Sequence, residues 1–217
     1  MIKAVIFDMD GLMIDSERMT YQGYIKVMEK MGLTISEEFY KTLLGKQVAY
    51  AHEQFKKVYG EDFPIEQVII DVHEYLADVF ENEGVPVKKG LVELLDYLKE
   101  NDYKICVATS SHRDRMEHIL GLANVLQYFD QSVCGTEVKN GKPNPDVFLK
   151  ACERLDVQVN EAIVLEDSEA GIQASHTAKI PVFCIPDMKY PEPEFEEMTT
   201  GILESLDKVI DYLKGQA

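Results

Sequence analysis

Ala4-Val5-Ile6-Phe7-Asp8-Met9-Asp10-Gly11 joins a short apolar run to two carboxylates and a glycine. The β-branched and aromatic residues read as a buried strand, so the acids at i and i+2 fall where that strand opens into a loop. In open α/β sheets, ligands bind at the carboxyl ends of the strands. An unpaired carboxylate is costly to bury, so acids placed there require a cation, a proton or a substrate. Metal-assisted phosphoryl chemistry is the leading expectation.

Four further runs have strand character, at residues 104–108, 131–134, 162–165 and 181–185, with the first run taken as 3–7. Amphipathic helical patterns lie between the later ones, at 90–100, 113–123, 145–155 and 170–178, and a last helix is expected at 202–213. Such alternation predicts parallel βαβ units with right-handed crossovers. Residues 16–85 break it. There Met19, Ile25, Val27, Met28, Met31, Phe39, Leu43, Leu44, Phe55, Val58, Tyr59, Val68, Ile69, Val72, Leu76 and Val79 recur at near-helical spacing, read as core stripes and punctuated by Gly32, Gly45, Gly60 and Gly84. The expected fold class is α/β, a Rossmann-like parallel sheet core of residues 1–15 and 86–217 with an inserted α-helical cap at 16–85.

Composition narrows the function. A formal net charge of −17 sets the average surface against nucleic acid and anionic membranes, and a phosphorylated substrate then needs a local cation. Cys106, Cys134, Cys152 and Cys184 show no CxxC pairing and read as small buried hydrophobes in a reducing compartment. With no leader pattern before the first strand and no apolar stretch near about 18 residues, a cytoplasmic monomer is expected, with no nucleic-acid or membrane partner.

Other polar groups end the later strands: Thr109-Ser110-Ser111, Lys142 in Gly141-Lys142-Pro143-Asn144-Pro145, and Glu166-Asp167-Ser168. Taken singly each has a plain explanation. The hydroxyls suit helix N-caps before Arg113, the lysine a solvated surface, and the acid pair a cap for the helix near Ser168. In a parallel sheet, however, all these strand ends point to one rim. Magnesium takes oxygen ligands, usually one or two carboxylates plus phosphate oxygens, which Asp8 and Asp167 can supply from different strands. An aspartate can attack phosphorus, Lys142 and Thr109 can stabilise the equatorial oxygens, and Asp10 can move the proton.

Together these motifs resemble the haloacid dehalogenase-like (HAD) superfamily of hydrolases, in its beta-phosphoglucomutase-like branch with a helical cap. Asp8-Met9-Asp10-Gly11 matches the first motif, Thr109 the second, Lys142 the third and Glu166-Asp167-Ser168 the fourth. The resemblance implies a phosphoric monoester hydrolase with Asp8 as nucleophile and Asp10 as general acid/base. It implies magnesium held by Asp8, the Asp10 backbone carbonyl and Asp167, with Glu166 in or next to that shell. Thr109, Ser110 and Lys142 would bind the transferring phosphoryl group, Ser111 would reach a substrate phosphate, and the cap loop Gly45, Lys46 and Gln47 would contact the leaving group. A dehalogenase lacks the second aspartate.

Two departures bear on the substrate. The mutases of this branch carry a histidine where Thr20 stands, and a cap arginine where Lys46 stands. Lysine is a poor replacement for a bidentate phosphate grip, so water is the expected acceptor and a small phosphorylated metabolite, with sugar phosphates foremost, the expected substrate. A beta-phosphoglucomutase-type phosphomutase is the alternative. A phosphoaspartate signalling receiver, which also sets acids, a hydroxyl and a lysine on a sheet rim, is a third reading from another class.

Overall fold

A computed structural model describes residues 1–46 and 48–215. The chain divides into two compact units, one of Met1–Asp15 with Val85–Ala217 and the other of Ser16–Gly84. The first unit carries a six-stranded sheet in the order β3-β2-β1-β4-β5-β6, from β1 (Ala4–Phe7), β2 (Lys104–Ala108), β3 (Gln131–Val133), β4 (Ala162–Glu166), β5 (Val182–Cys184) and β6 (Gly201–Ile202). Every pairing is parallel, with Val5 beside Ile105 and Ile163, and Phe7 beside Val107 and Leu165. β1 is therefore central, and all four of its residues are fully buried. That placement explains its unbroken apolar run, because a strand covered on both faces loses the alternation of a half-buried one.

The same unit contains α5 (Leu91–Glu100), α6 (Arg113–Leu122), α7 (Asp146–Leu155), α8 (Glu169–Ala178), α9 (Pro193–Glu196) and α10 (Lys208–Lys214). Val147, Phe148, Ala151 and Cys152 of α7 and Ile172 and Ala174 of α8 pack with Ala4, Ile6, Cys106 and Val164 into one core layer. All four cysteines are free and buried. Successive connections from β1 run to β2 on one side and, later, to β4 on the other. The strand order thus reverses between β1 and β4, where such folds open a crevice at the strand ends.

The second unit is entirely helical among its described residues: α1 (Ser16–Lys30), α2 (Glu37–Lys41), α3 (Val48–Tyr59) and α4 (Ile65–Glu83). It is the helical insertion of the α/β fold expected from the sequence. Phe55 is fully buried at the centre of an aromatic cluster, stacked on Tyr24 and Phe63 and edge-on to Phe39. Two members of the expected stripes lie exposed: Met31 is 42% exposed and Val58 56% exposed. Met31 lies past the last residue of α1, and α3 buries only Phe55.

The end of the chain also differs from its reading. The expected helix at 202–213 begins with the edge strand β6, and α10 starts only at Lys208. Ile202, Leu206, Val209 and Leu213 have helical spacing because all turn inward, yet Ile202 pairs along β5. The acidic stretch 187–198 includes the short α9 and the buried Met188. Among the described residues no helix is long and apolar enough to cross a membrane.

Candidate active site

Asp8 follows β1 directly, and its backbone N–H still donates to the Leu165 carbonyl at 3.0 Å, so ladder bonding holds it at the rim. Glu166 ends β4 one strand away. Lys142, from the turn before α7, lies between them: its ammonium donates to Asp8 Oδ1 at 2.5 Å and to Glu166 Oε1 at 2.6 Å, and sits 4.9 Å over the Phe148 ring. Its side chain is only 6% exposed. A residue type that ordinarily stays in water is here a buried cation between two buried anions.

The second oxygen of Glu166 is just as fully used. Oε2 accepts from the backbone N–H groups of Asp167 and Ser168, both at 3.0 Å, and from the Ser168 hydroxyl at 2.9 Å. This close wrapping needs Gly171, where a Cβ would stand 1.7 Å from Glu166 Oε1. Asp167 is placed differently. Its Oδ1 is sealed from solvent and has no hydrogen-bond partner among the described residues, and its Oδ2 lies so near Gly11 that a Cβ there would come within 2.2 Å. Gly11 also has φ +86°, which favours glycine.

Asp8, Glu166 and Asp167 each present a carboxylate oxygen within 4.8 Å of the others. Burial pushes the Asp8 carboxyl up to about 7 despite the opposing pull of Lys142, with the Glu166 charge adding to the rise. Burial, then the charges of Glu166 and Asp8, also raises Asp167 well above the usual carboxylate range. Burial alone would lower the Lys142 ammonium, but Asp8 and Glu166 outweigh it and raise it. Lys142 bonds two of the three acids, and an oxygen on the third, Asp167, lacks a donor. This set can hold a metal ion.

The hydroxyl stretch after β2 lies on the same rim. Thr109 is 1% exposed, and its N–H donates to the Val133 carbonyl. Its Oγ1 accepts from the Ser111 N–H at 3.0 Å, while Ser111 Oγ donates to Asp10 Oδ2 at 2.9 Å. Ser110 is exposed, and its carbonyl lies against Gly135, where a Cβ would come within 2.5 Å. The simple capping explanations fail for both motifs: His112 is the N-cap residue of α6, with no side-chain cap bond, and Ser168 caps α8 by accepting from the Gly171 N–H.

Asp10 departs from the acid cluster. Its side chain turns to Arg115, which donates from NH1 to Oδ2 at 2.7 Å and from NH2 to Oδ1 at 2.8 Å. The sequence reading did not single out Arg115. The signal available was its place four residues after Ser111, in the first turn of α6. Of the cap-loop residues, Gly45 (φ +69°) and exposed Lys46 form a turn in the helical unit; Gln47 lies outside the described residues.

Fold and rim together define a protein of the α/β class with an acidic, lysine-bearing site at the carboxyl edge of its parallel sheet. Residues 5–185 match the model of the haloacid dehalogenase-like hydrolase family, and the chain belongs to that family. It is 33% identical over 180 residues to a phosphorylated carbohydrates phosphatase of Thermotoga maritima, covering 82% of each chain. It is 28% identical to the 6-phosphogluconate phosphatase of Escherichia coli, covering 84% of this chain and 81% of that one. Among solved structures it is similar to a Thermotoga maritima protein assigned as a beta-phosphoglucomutase, with TM-score 0.84, 28% identity and full coverage of both chains. The chain is an HAD-like phosphatase, a phosphoric monoester hydrolase, and the receiver alternative falls away.

Proposed function

We propose that this chain hydrolyses small phosphorylated metabolites, with sugar phosphates the leading class, through an aspartyl-phosphate on Asp8. The observation that carries the reading is the charge imbalance at the rim: three clustered carboxylates, one lysine, and an Asp167 oxygen without a donor. A hard divalent cation suits that donor set. Asp8, Asp167 and the Asp10 carbonyl would hold magnesium, with Glu166 beside them and committed to Lys142. When bound, the ion neutralises charge on the incoming phosphate.

The chain's own groups do the rest. The Asp8 carboxylate attacks phosphorus and the bond to the leaving oxygen breaks. Asp10 gives that oxygen its proton, then takes one from the water that attacks the aspartyl-phosphate, releasing phosphate and restoring Asp8. Lys142 and Thr109, with Ser110, stabilise the equatorial oxygens, and fixed donors in a partly dry rim need little reorganisation. Ser111 serves both the substrate phosphate and Asp10.

The names of the two curated relatives above support a phosphorylated carbohydrate or sugar acid as substrate. The mutase alternative is weaker at Thr20, whose hydroxyl donates to the Ser16 carbonyl at 2.8 Å within its own helix, and at Lys46. Phosphate release from a panel of sugar phosphates, with magnesium and with chelator, tests the reading. Chelation is expected to stop turnover, and Asp8→Asn to lower it by about 10⁴-fold or more while the protein stays folded. Wild-type turnover in that variant would remove Asp8 as nucleophile. Isomer interconversion stimulated by a bisphosphate primer would favour the mutase.

A further inference from the structure

Asp10 is gripped at both oxygens. Arg115 meets them with a two-pronged fork at 2.7 and 2.8 Å, Ser111 Oγ donates to Oδ2 at 2.9 Å, and Arg115 NH1 reaches Ser111 Oγ at 2.7 Å, closing a three-residue ring. The ring joins the loop after β1 to the first turns of α6, residues 105 positions apart in sequence. Its geometry follows from the helix. Met116, Ile119 and Leu120 bury one face of α6, which fixes its rotation, and side chains on a helix lean toward its N-terminus. The N-terminus of α6 follows the carboxyl end of β2, so Arg115 leans back over the rim. A planar guanidinium then sets the plane of the carboxylate it binds in a way a lysine cannot.

We infer that Arg115, together with Ser111, is the positioning residue of Asp10: it sets the direction in which this carboxylate is presented to the leaving oxygen and to water. This deepens the proposed function and rests on it. Among the described residues Arg115 makes no hydrogen bond to Asp8 or Lys142; its charge is also felt by Asp8, but its bonds on the rim go to Asp10 and Ser111, so its orienting effect passes through Asp10. With Asp10 misdirected, the step that suffers is proton delivery to a leaving group that cannot depart as an anion. A substrate whose leaving group departs readily as the anion, such as p-nitrophenyl phosphate, bypasses that step. An alkyl or sugar phosphate does not.

The experiment measures kcat/KM for p-nitrophenyl phosphate and for a sugar phosphate turned over by the wild type, in wild type, Asp10→Asn, Arg115→Met and Arg115→Lys, all with magnesium and all shown to be folded by circular dichroism. For Arg115→Met the sugar phosphate value is expected to fall about 10- to 100-fold, as for a displaced catalytic group, and the aryl phosphate value to change little. Arg115→Lys should recover only part of the loss, because it restores the charge but not the fork. Equal losses on both substrates, or none on the sugar phosphate, would overturn the assignment. If Asp10→Asn shows the leaving-group bias and the Arg115 variants do not, Arg115 is excluded and the proposed function stands. A wild type that releases phosphate neither from p-nitrophenyl phosphate nor from any sugar phosphate of the panel overturns both.

Discussion

The two cations on the rim hold neighbouring aspartates in opposite ways. Lys142 is 6% exposed and clamps Asp8 to the buried Glu166, whereas Arg115 is 44% exposed and grips an Asp10 that is itself 31% exposed. A buried charge cannot lose its partner without leaving the other uncompensated. An exposed pair can separate at little cost, since water replaces what is lost. The difference assigns different duties: the Asp8 side is rigid and keeps its charges in place, and the Asp10 side can release its carboxylate for proton transfer.

Removing each cation in turn should break that symmetry of roles. Lys142→Met is expected to cost about 3–5 kcal/mol of stability at neutral pH, whereas Arg115→Met should cost no more than about 1 kcal/mol. Urea denaturation of the two variants beside the parent measures both. Equal losses would mean that the rim does not divide into a rigid and a yielding side.

The rigid side should also respond to metal. Magnesium at about 100 times its dissociation constant should stabilise the parent by about 2.7 kcal/mol. Asp167→Asn should lose most of that gain while being no less stable in chelator, because it removes a charge whose buried oxygen has no donor. A thermal shift with magnesium that is the same in both proteins would take Asp167 out of the metal site.

The smallest expected effect comes from a structural ion pair that frames the hydroxyl loop. Glu137 accepts from Arg154 NH2 at 3.0 Å, from the Cys134 N–H at 2.8 Å and from Arg113 NH2 at 2.7 Å, and Arg154 NH1 also reaches the Ser132 carbonyl. These bonds, that of Arg154 first, hold its carboxyl down at about 2, against 4.5 for an ordinary glutamate. A carboxyl with a lowered folded value stabilises the protein above its unfolded value, and that contribution is lost as pH falls from about 4.5 toward 2. Glu137→Gln should therefore flatten the stability profile in that window by about 1 kcal/mol, partial exposure limiting the size. Denaturation midpoints between those pH values check it; an unchanged slope would show that the pair adds nothing.

Much of this was legible in residue order. The five longer strands and α5 through α8 appear within a residue or two of their expected bounds, because apolar periodicity follows directly from which faces are covered. β6 was not legible: two residues carry no period, and Ile202 continues the inward spacing of Leu206 and Val209. Nor was the Asp10–Arg115 grip, since an arginine on a helix surface looks the same whether it meets water or a carboxylate 105 positions away.

Sequence alone determined the class of fold, the helical interruption between β1 and β2, and the residue types that end each strand, since local periodicity and chemistry are written residue by residue. Tertiary structure alone decided who partners whom. Lys142 reaches Asp8 across 134 positions, Glu166 is committed to that lysine, Asp167 is left with an unused oxygen, and Asp10 faces Arg115. Such pairings depend on the order of strands in the sheet and on the rotation of each helix, and both are set by how whole faces pack.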